Sequence, residues 1–189
     1  MVLIKKNYFV FYIVYLFTIN LYAEKNVKID HENKSITISA NYTTFMPIVK
    51  TLKDAVAVWN EQSGLYKYPI KKDGITIKYN VFFKLLVNSD FNNTSIAQNE
   101  VSVVPKNSKY SRKRYKEINT NENAIVSAVG LTDGKFIIIT EDYINNIYVL
   151  AHEIGHTLGV SHSPGLMGEI LGEKSFSFLY IKEILSKIK

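Results

Sequence analysis

Three of the chain's four histidines fall within eleven residues: His152, Glu153, Ile154, Gly155, His156, Thr157, Leu158, Gly159, Val160, Ser161 and His162. From the chain's own residue frequencies, this pattern arises somewhere in the chain by chance on the order of 10⁻⁵. Residues four apart on a helix share a face, so His152 and His156 can present two imidazoles to one ion. Glu153 is offset around the helix, so its carboxylate reaches a water rather than the ion. Gly159 suits the backbone conformation that ends a helix, and a reversal there brings His162 round as third ligand. Three neutral nitrogens at about 2.0–2.1 Å hold zinc and leave the fourth position to water, as in catalytic rather than structural sites. Such an ion acidifies a water and polarises a carbonyl, while Glu153 serves as general base and then acid. Peptide hydrolysis is the chemistry this spacing predicts. A purely structural zinc clamp would not need the carboxylate of Glu153.

Several elements must position these residues. Alternation predicts a strand over 35–40 and another over 74–87, the latter with Ile75, Ile77, Tyr79, Val81 and Phe83 on one face. Between them a helix is predicted over about 46–62, burying Ile48, Leu52, Ala55, Val56 and Trp59, with Pro47 in its first turn and Gly64 past its end. Residues 88–99 read as loop and 100–104 as a strand. Runs 124–131 and 135–140 read as a hairpin about Thr132-Asp133-Gly134. Glu141 and Asp142 suit a helix N-terminus, and helical periodicity follows over 144–158 through Ile147, Leu150, Ala151, Ile154 and Leu158. A last helix over about 175–188 buries Phe178, Ile181, Ile184, Leu185 and Ile188. The order predicts an α/β (α+β) domain with a mixed sheet.

The chain has 189 residues, 47% hydrophobic and 21% charged, which suits one folded domain and excludes disordered and fibrous classes. It has no cysteine, so disulfide frameworks, thiolate metal sites and cysteine nucleophiles are excluded, and any metal must sit on His, Asp or Glu. Residues 1–23 read as a secretory signal peptide: Lys5 and Lys6, an uncharged run from Tyr8 to Leu21, and Ala23 at the end. The run is short for a spanning helix, and an uncleaved anchor is the alternative. Residues 24–189 are then the mature, secreted or periplasmic domain, expected to be a monomer. Lys106, Lys109, Arg112, Lys113, Arg114 and Lys116 crowd one stretch, read first as a solvated loop and second as a patch for an anionic surface. No nucleic-acid motif accompanies it, so no nucleic acid is expected as a partner.

The eleven-residue signature resembles that of the metzincin zinc endopeptidases, and Met167 in Ser163-Pro164-Gly165-Leu166-Met167-Gly168 resembles their Met-turn. Ser163 after the third histidine, Val149-Leu150-Ala151 before the motif and the helix ending in Trp59 are most similar to the matrixins (matrix metalloproteinase-like family). The resemblance implies a metzincin (zincin-like) catalytic domain: a twisted mixed sheet with an antiparallel edge strand, an active-site helix and a C-terminal helix. It implies one catalytic zinc on His152, His156 and His162, Glu153 as catalytic residue, and Met167 as an apolar floor that does not bind metal. An extended protein or peptide substrate would pair with the edge strand at 124–131, where Val129 and Gly130 are the substrate-binding positions. Tyr148, one turn before His152, would limit the depth of the pocket after the scissile bond. Tyr143, Tyr148 and Tyr180 are candidates to assist an oxyanion.

The sequence departs from typical matrixins in the short interval from His162 to Met167 and in Gly168-Glu169, which replaces a bulky residue and proline. His31 is the only other histidine, which leaves no ligand set for a second zinc, and no cysteine exists for a cysteine-switch propeptide. Two rival functions are an envelope-tethered zinc-binding adhesin that keeps the fold without turnover and a narrow self-processing or immunity-directed toxin.

Overall fold

Alternating residues open the fold with an antiparallel hairpin, β1 (Lys25–Asp30) and β2 (Ser35–Thr43). Ile36, Ile38, Ala40 and Tyr42 of β2 are buried, and the residues between them lie half-buried on the other face. At the hairpin turn the Asp30 carboxylate accepts from Asn33 N and Nδ2, both at 2.9 Å. The structure is a computed structural model, and it describes residues 25–88, 99–105, 130–168 and 174–187. The signal peptide read at 1–23 and the basic stretch 106–116 lie outside those residues.

Helix α1 (Val49–Asn60) buries Leu52, Ala55, Val56 and Trp59, as their spacing predicts. It starts later than about 46, so Pro47 stands ahead of the helix rather than in its first turn. Gly64, at φ 80°, donates its N–H to Val81 O at 2.7 Å and turns the chain back onto the sheet. Strand β3 (Lys67–Lys72) then pairs antiparallel with β4 (Ile75–Asn88). Asp73 and Gly74 make the two-residue turn at φ 51° and 80°, the positive values that an Asp-Gly hairpin turn uses. Neither β1 nor β3 is predicted by periodicity. β3 is Lys-rich and carries Pro69, which is tolerated because β3 is the edge of the sheet. Beyond the reach of β3, side chains from the end of α1 and the turn after it bond β4. Asn60 Oδ1 accepts from Leu85 N and Ser63 Oγ accepts from Phe83 N, both at 2.9 Å.

β4 runs parallel to β2, β5 (Asn99–Val104) runs parallel to both β2 and β7 (Phe136–Thr140), and β6 (Gly130–Asp133) closes the far edge antiparallel to β7. The seven-stranded order is β3-β4-β2-β5-β7-β6, with β1 also on β2. The expected hairpin over 124–140 is present but displaced. Its loop is Gly134-Lys135, with Gly134 at φ 57°, and Asp133 pairs with Phe136. Thr132 is therefore a strand residue opposite Ile137 rather than part of a turn. Residues 124–129, Val129 included, lie outside the described residues.

Glu141 and Asp142 belong to a separate 3-10 turn, Glu141–Tyr143. The helix that follows, α2 (Ile147–Thr157), starts at Ile147 rather than 144, because Asn146 caps it by accepting from Tyr148 N and Val149 N at 3.1 and 3.2 Å. Ser177 caps α3 (Phe178–Ser186), a shorter helix than the predicted 175–188. Ile181, Ile184 and Leu185 are buried in it, Phe178 is half-buried, and Tyr180 joins the core instead. The architecture is a mixed α/β fold, one sheet with three α-helices, compatible with the α+β expectation. Among the described residues no helix is long and apolar enough to cross a membrane.

Candidate metal centre

Helix α2 is anchored before any of its histidines is considered. Trp59 Nε1 donates to Ala151 O at 2.9 Å, and buried Tyr42 bonds Thr157 Oγ1 at 2.7 Å. Thr157 gives its own proton to Ile154 O at 2.7 Å, so Tyr42 is the donor of that pair. Gly155 has no room for a side chain, since a Cβ would fall 2.8 Å from both Trp59 Cζ2 and Met167 Cε. The helix ends as the sequence predicts, with Gly159 at φ 90°. Gly159 N bonds His156 O at 2.9 Å and Val160 N bonds Gly155 O at 3.0 Å, the paired closure of a Schellman motif.

This reversal brings the three histidines together. Their ligand atoms all lie within 4.8 Å of one another. His156 Nε2 stands 3.0 Å from His152 Nε2 and 3.2 Å from His162 Nε2. The opposite nitrogens meet carbonyls: His152 Nδ1 lies 3.0 Å from Leu166 O, and His156 Nδ1 lies 2.8 Å from Val160 O. A carbonyl only accepts, so each Nδ1 carries the proton and each of those Nε2 atoms presents a bare lone pair. Lone pairs facing at 3.0 Å repel unless a cation lies between them. Two nitrogens bound tetrahedrally at zinc distances are about 3.3 Å apart, so the cluster fits a zinc ion in spacing and in donor chemistry. Burial holds the His152 pKa below its ordinary value and pushes His156 down to about 4, each opposed by its carbonyl bond, so both rings stay neutral and able to ligate.

Met167 is fully buried, with its side chain packed against Gly155 of α2. Its loop is closed by Ser163 N to Met167 O at 3.0 Å and Gly168 N to Gly165 O at 2.7 Å. Tyr180 sits under the same loop, donating its hydroxyl to Pro164 O at 2.5 Å and accepting from Met167 N at 3.2 Å. That engagement makes Tyr180 a prop of the loop rather than the oxyanion donor considered from sequence. Tyr143 is half-buried against the core on the 3-10 turn. Tyr148 is half-buried at the start of α2, with the Lys174 ammonium 4.8 Å from its ring centroid.

Glu153 is buried, and burial pushes its carboxyl up to about 7 against the opposing hydrogen bond from Thr132. Thr132 Oγ1 donates to Glu153 Oε2 at 2.6 Å and lies 3.1 Å from Glu153 O. Gly130 packs on the same carboxylate, and a Cβ there would lie 2.5 Å from Glu153 Oε1. Thus Gly130, expected as a substrate-pairing residue, also makes room for Glu153. Thr132 is a site residue that the displaced turn hid from sequence reasoning.

No protein-family model, curated protein or solved structure matches this chain.

Proposed function

We infer that the chain is a secreted zinc-dependent endopeptidase of matrixin-like metzincin type. The observation that carries the reading is the convergence of three Nε2 atoms, two of them from the helix that also carries Glu153 and with the opposite ring nitrogen held by a carbonyl. His152, His156 and His162 would hold the ion. When bound, zinc supplies Lewis acidity that acidifies a water and polarises a carbonyl. The Glu153 carboxylate would take a proton from the attacking water as the water oxygen adds to the peptide carbon, and would return it to the amine nitrogen as the C–N bond breaks. A carboxyl pushed up to about 7 suits both halves of this transfer near neutral pH. An extended peptide substrate would lie alongside β6, the strand that carries Gly130 and Thr132. Met167 closes the floor below the ligands.

The experiment is digestion of an unstructured protein by the purified chain, with zinc measured by atomic absorption. One zinc per chain, proteolysis lost on chelation and restored by zinc, and a Glu153→Gln protein that keeps zinc without cleaving are the expected results. Zinc bound at full occupancy with no cleavage of any library peptide would favour the adhesin reading instead.

A further inference from the structure

Of the three histidines, His162 has the least local support. His152 and His156 ride on α2, whereas His162 is exposed and follows a glycine turn. The segment leading to it is instead gripped by groups from the two ends of the described chain. Lys25 Nζ, from β1, donates to Leu158 O. Lys187 Nζ, just past α3, donates to Gly159 O at 2.5 Å. Ser161 Oγ donates to Glu183 Oε1 at 2.5 Å, and Glu183 lies 3.8 Å from Lys187 Nζ.

Two ammonium groups thus crowd one turn. A Cβ on Gly159 would meet Lys25 Nζ at 2.9 Å and Lys187 Nζ at 3.6 Å. Their repulsion is offset by the Glu183 carboxylate and by the partial negative charge at the C-terminus of α2, where the last carbonyls lack helical partners. Burial, and then the neighbouring Lys187, lower the Lys25 pKa, in keeping with a lysine drawn into this position by its hydrogen bond. The consequence is that three points of the turn, Leu158 O, Gly159 O and Ser161 Oγ, are tied down just before His162.

We propose that Lys25, Lys187 and Glu183 are positioning residues for the third metal ligand, fixing turn 158–161 so that His162 Nε2 arrives beside His156 Nε2. The proposal rests on the histidines being metal ligands and not on proteolysis. It is tested on the full chain with Lys25→Met, Lys187→Met, the double variant, and the donor-keeping Lys25→Arg and Lys187→Arg. Zinc affinity is read by competition with a chromophoric chelator, and amide hydrogen exchange at Val160 and Ser163 is read on the metal-free protein.

Each Met variant should weaken zinc about tenfold and the double about a hundredfold, with the Arg variants recovering most of the loss. Exchange at Val160 should rise in the Met variants while the sheet amides keep their protection. Where the double variant fails to fold by circular dichroism, the single and Arg variants decide. Affinities within twofold of wild type together with unchanged exchange overturn the proposal. A wild-type chain that binds no zinc, with exchange still raised in the variants, supports the grip on the turn and overturns the metal site it serves.

Discussion

The two halves of the centre are held by different means. His152 and His156 are oriented by main-chain carbonyls, those of Leu166 and Val160, which every residue type provides. Glu153 is oriented by side-chain identity, namely the hydroxyl of Thr132 and the missing Cβ of Gly130. Ligation by His152 and His156 should therefore tolerate substitution at Leu166 and Val160, while proton transfer should fail with small changes on β6. On the proposed reading, the chain would keep its metal and lose turnover through changes on a strand that holds no metal ligand.

The largest effect expected is on the metal half. His162→Ala should weaken zinc more than about a hundredfold, because two ligands cannot complete the site. Val160→Ala, which keeps its carbonyl, should stay within about threefold in the same chelator competition. If Val160→Ala released zinc as readily as His162→Ala, the main-chain account would be broken.

Gly130→Ala brings the next effect. The added methyl must displace the Glu153 carboxylate, so kcat/KM should fall about a hundredfold or more with zinc content unchanged, within the range a general base contributes. Equal activity in the two proteins would show that the edge strand yields instead.

The pH dependence of stability in metal-free protein separates the halves further. Glu153 is raised from 4.5 to about 7 by burial, so folding disfavours its ionised form. Its contribution is fully present below pH 4.5 and is lost as pH rises through 7. Glu153→Gln should therefore gain on wild type by about 2–3 kcal/mol between pH 4.5 and 8, measured by urea unfolding. His156, lowered from 6.5 to about 4, acts in the opposite direction, and its neutral form costs stability as pH falls from 6.5 towards 4. A flat difference between Glu153→Gln and wild type would contradict the burial of that carboxyl.

Thr132→Val should lower kcat about tenfold, and Thr132→Ser should restore most of it, as expected for one hydrogen bond to a carboxylate. The smallest effect concerns specificity. Wild type should cleave before Leu, Ile, Met or Ala, and Tyr148→Ala should admit larger side chains there, by about 1 kcal/mol for each methylene accommodated. An unchanged peptide-library profile would remove Tyr148 from the pocket.

What was legible in the sequence is what is local. The i, i+4 spacing of His152 and His156, the helix-ending Gly159 and the apolar phase of α1 each follow from residues within a turn or two of one another. The groups that hold the site come from far along the chain. Thr132 reaches Glu153 across 21 residues, Lys25 reaches Leu158 across 133, and Trp59 reaches Ala151 across 92. No periodicity reports such pairings. Strands β1 and β3 were hidden for another reason: their lysines and Pro69 blur the apolar alternation that marks β2 and β4. Moving the hairpin loop from 132–134 to 134–135 is a small change in sequence, yet it turns Thr132 from a turn residue into the partner of Glu153.

Helix α3 has a bearing on the order of synthesis. Tyr180 props the loop that carries Met167, and Glu183 and Lys187 grip the turn before His162, so residues later in the chain secure ligands that precede them. During synthesis, His152, His156 and His162 are added before Tyr180, Glu183 and Lys187. Until α3 has docked, the chain has all three histidines, but the loop at Met167 and the turn before His162 lack the supports that Tyr180, Glu183 and Lys187 provide.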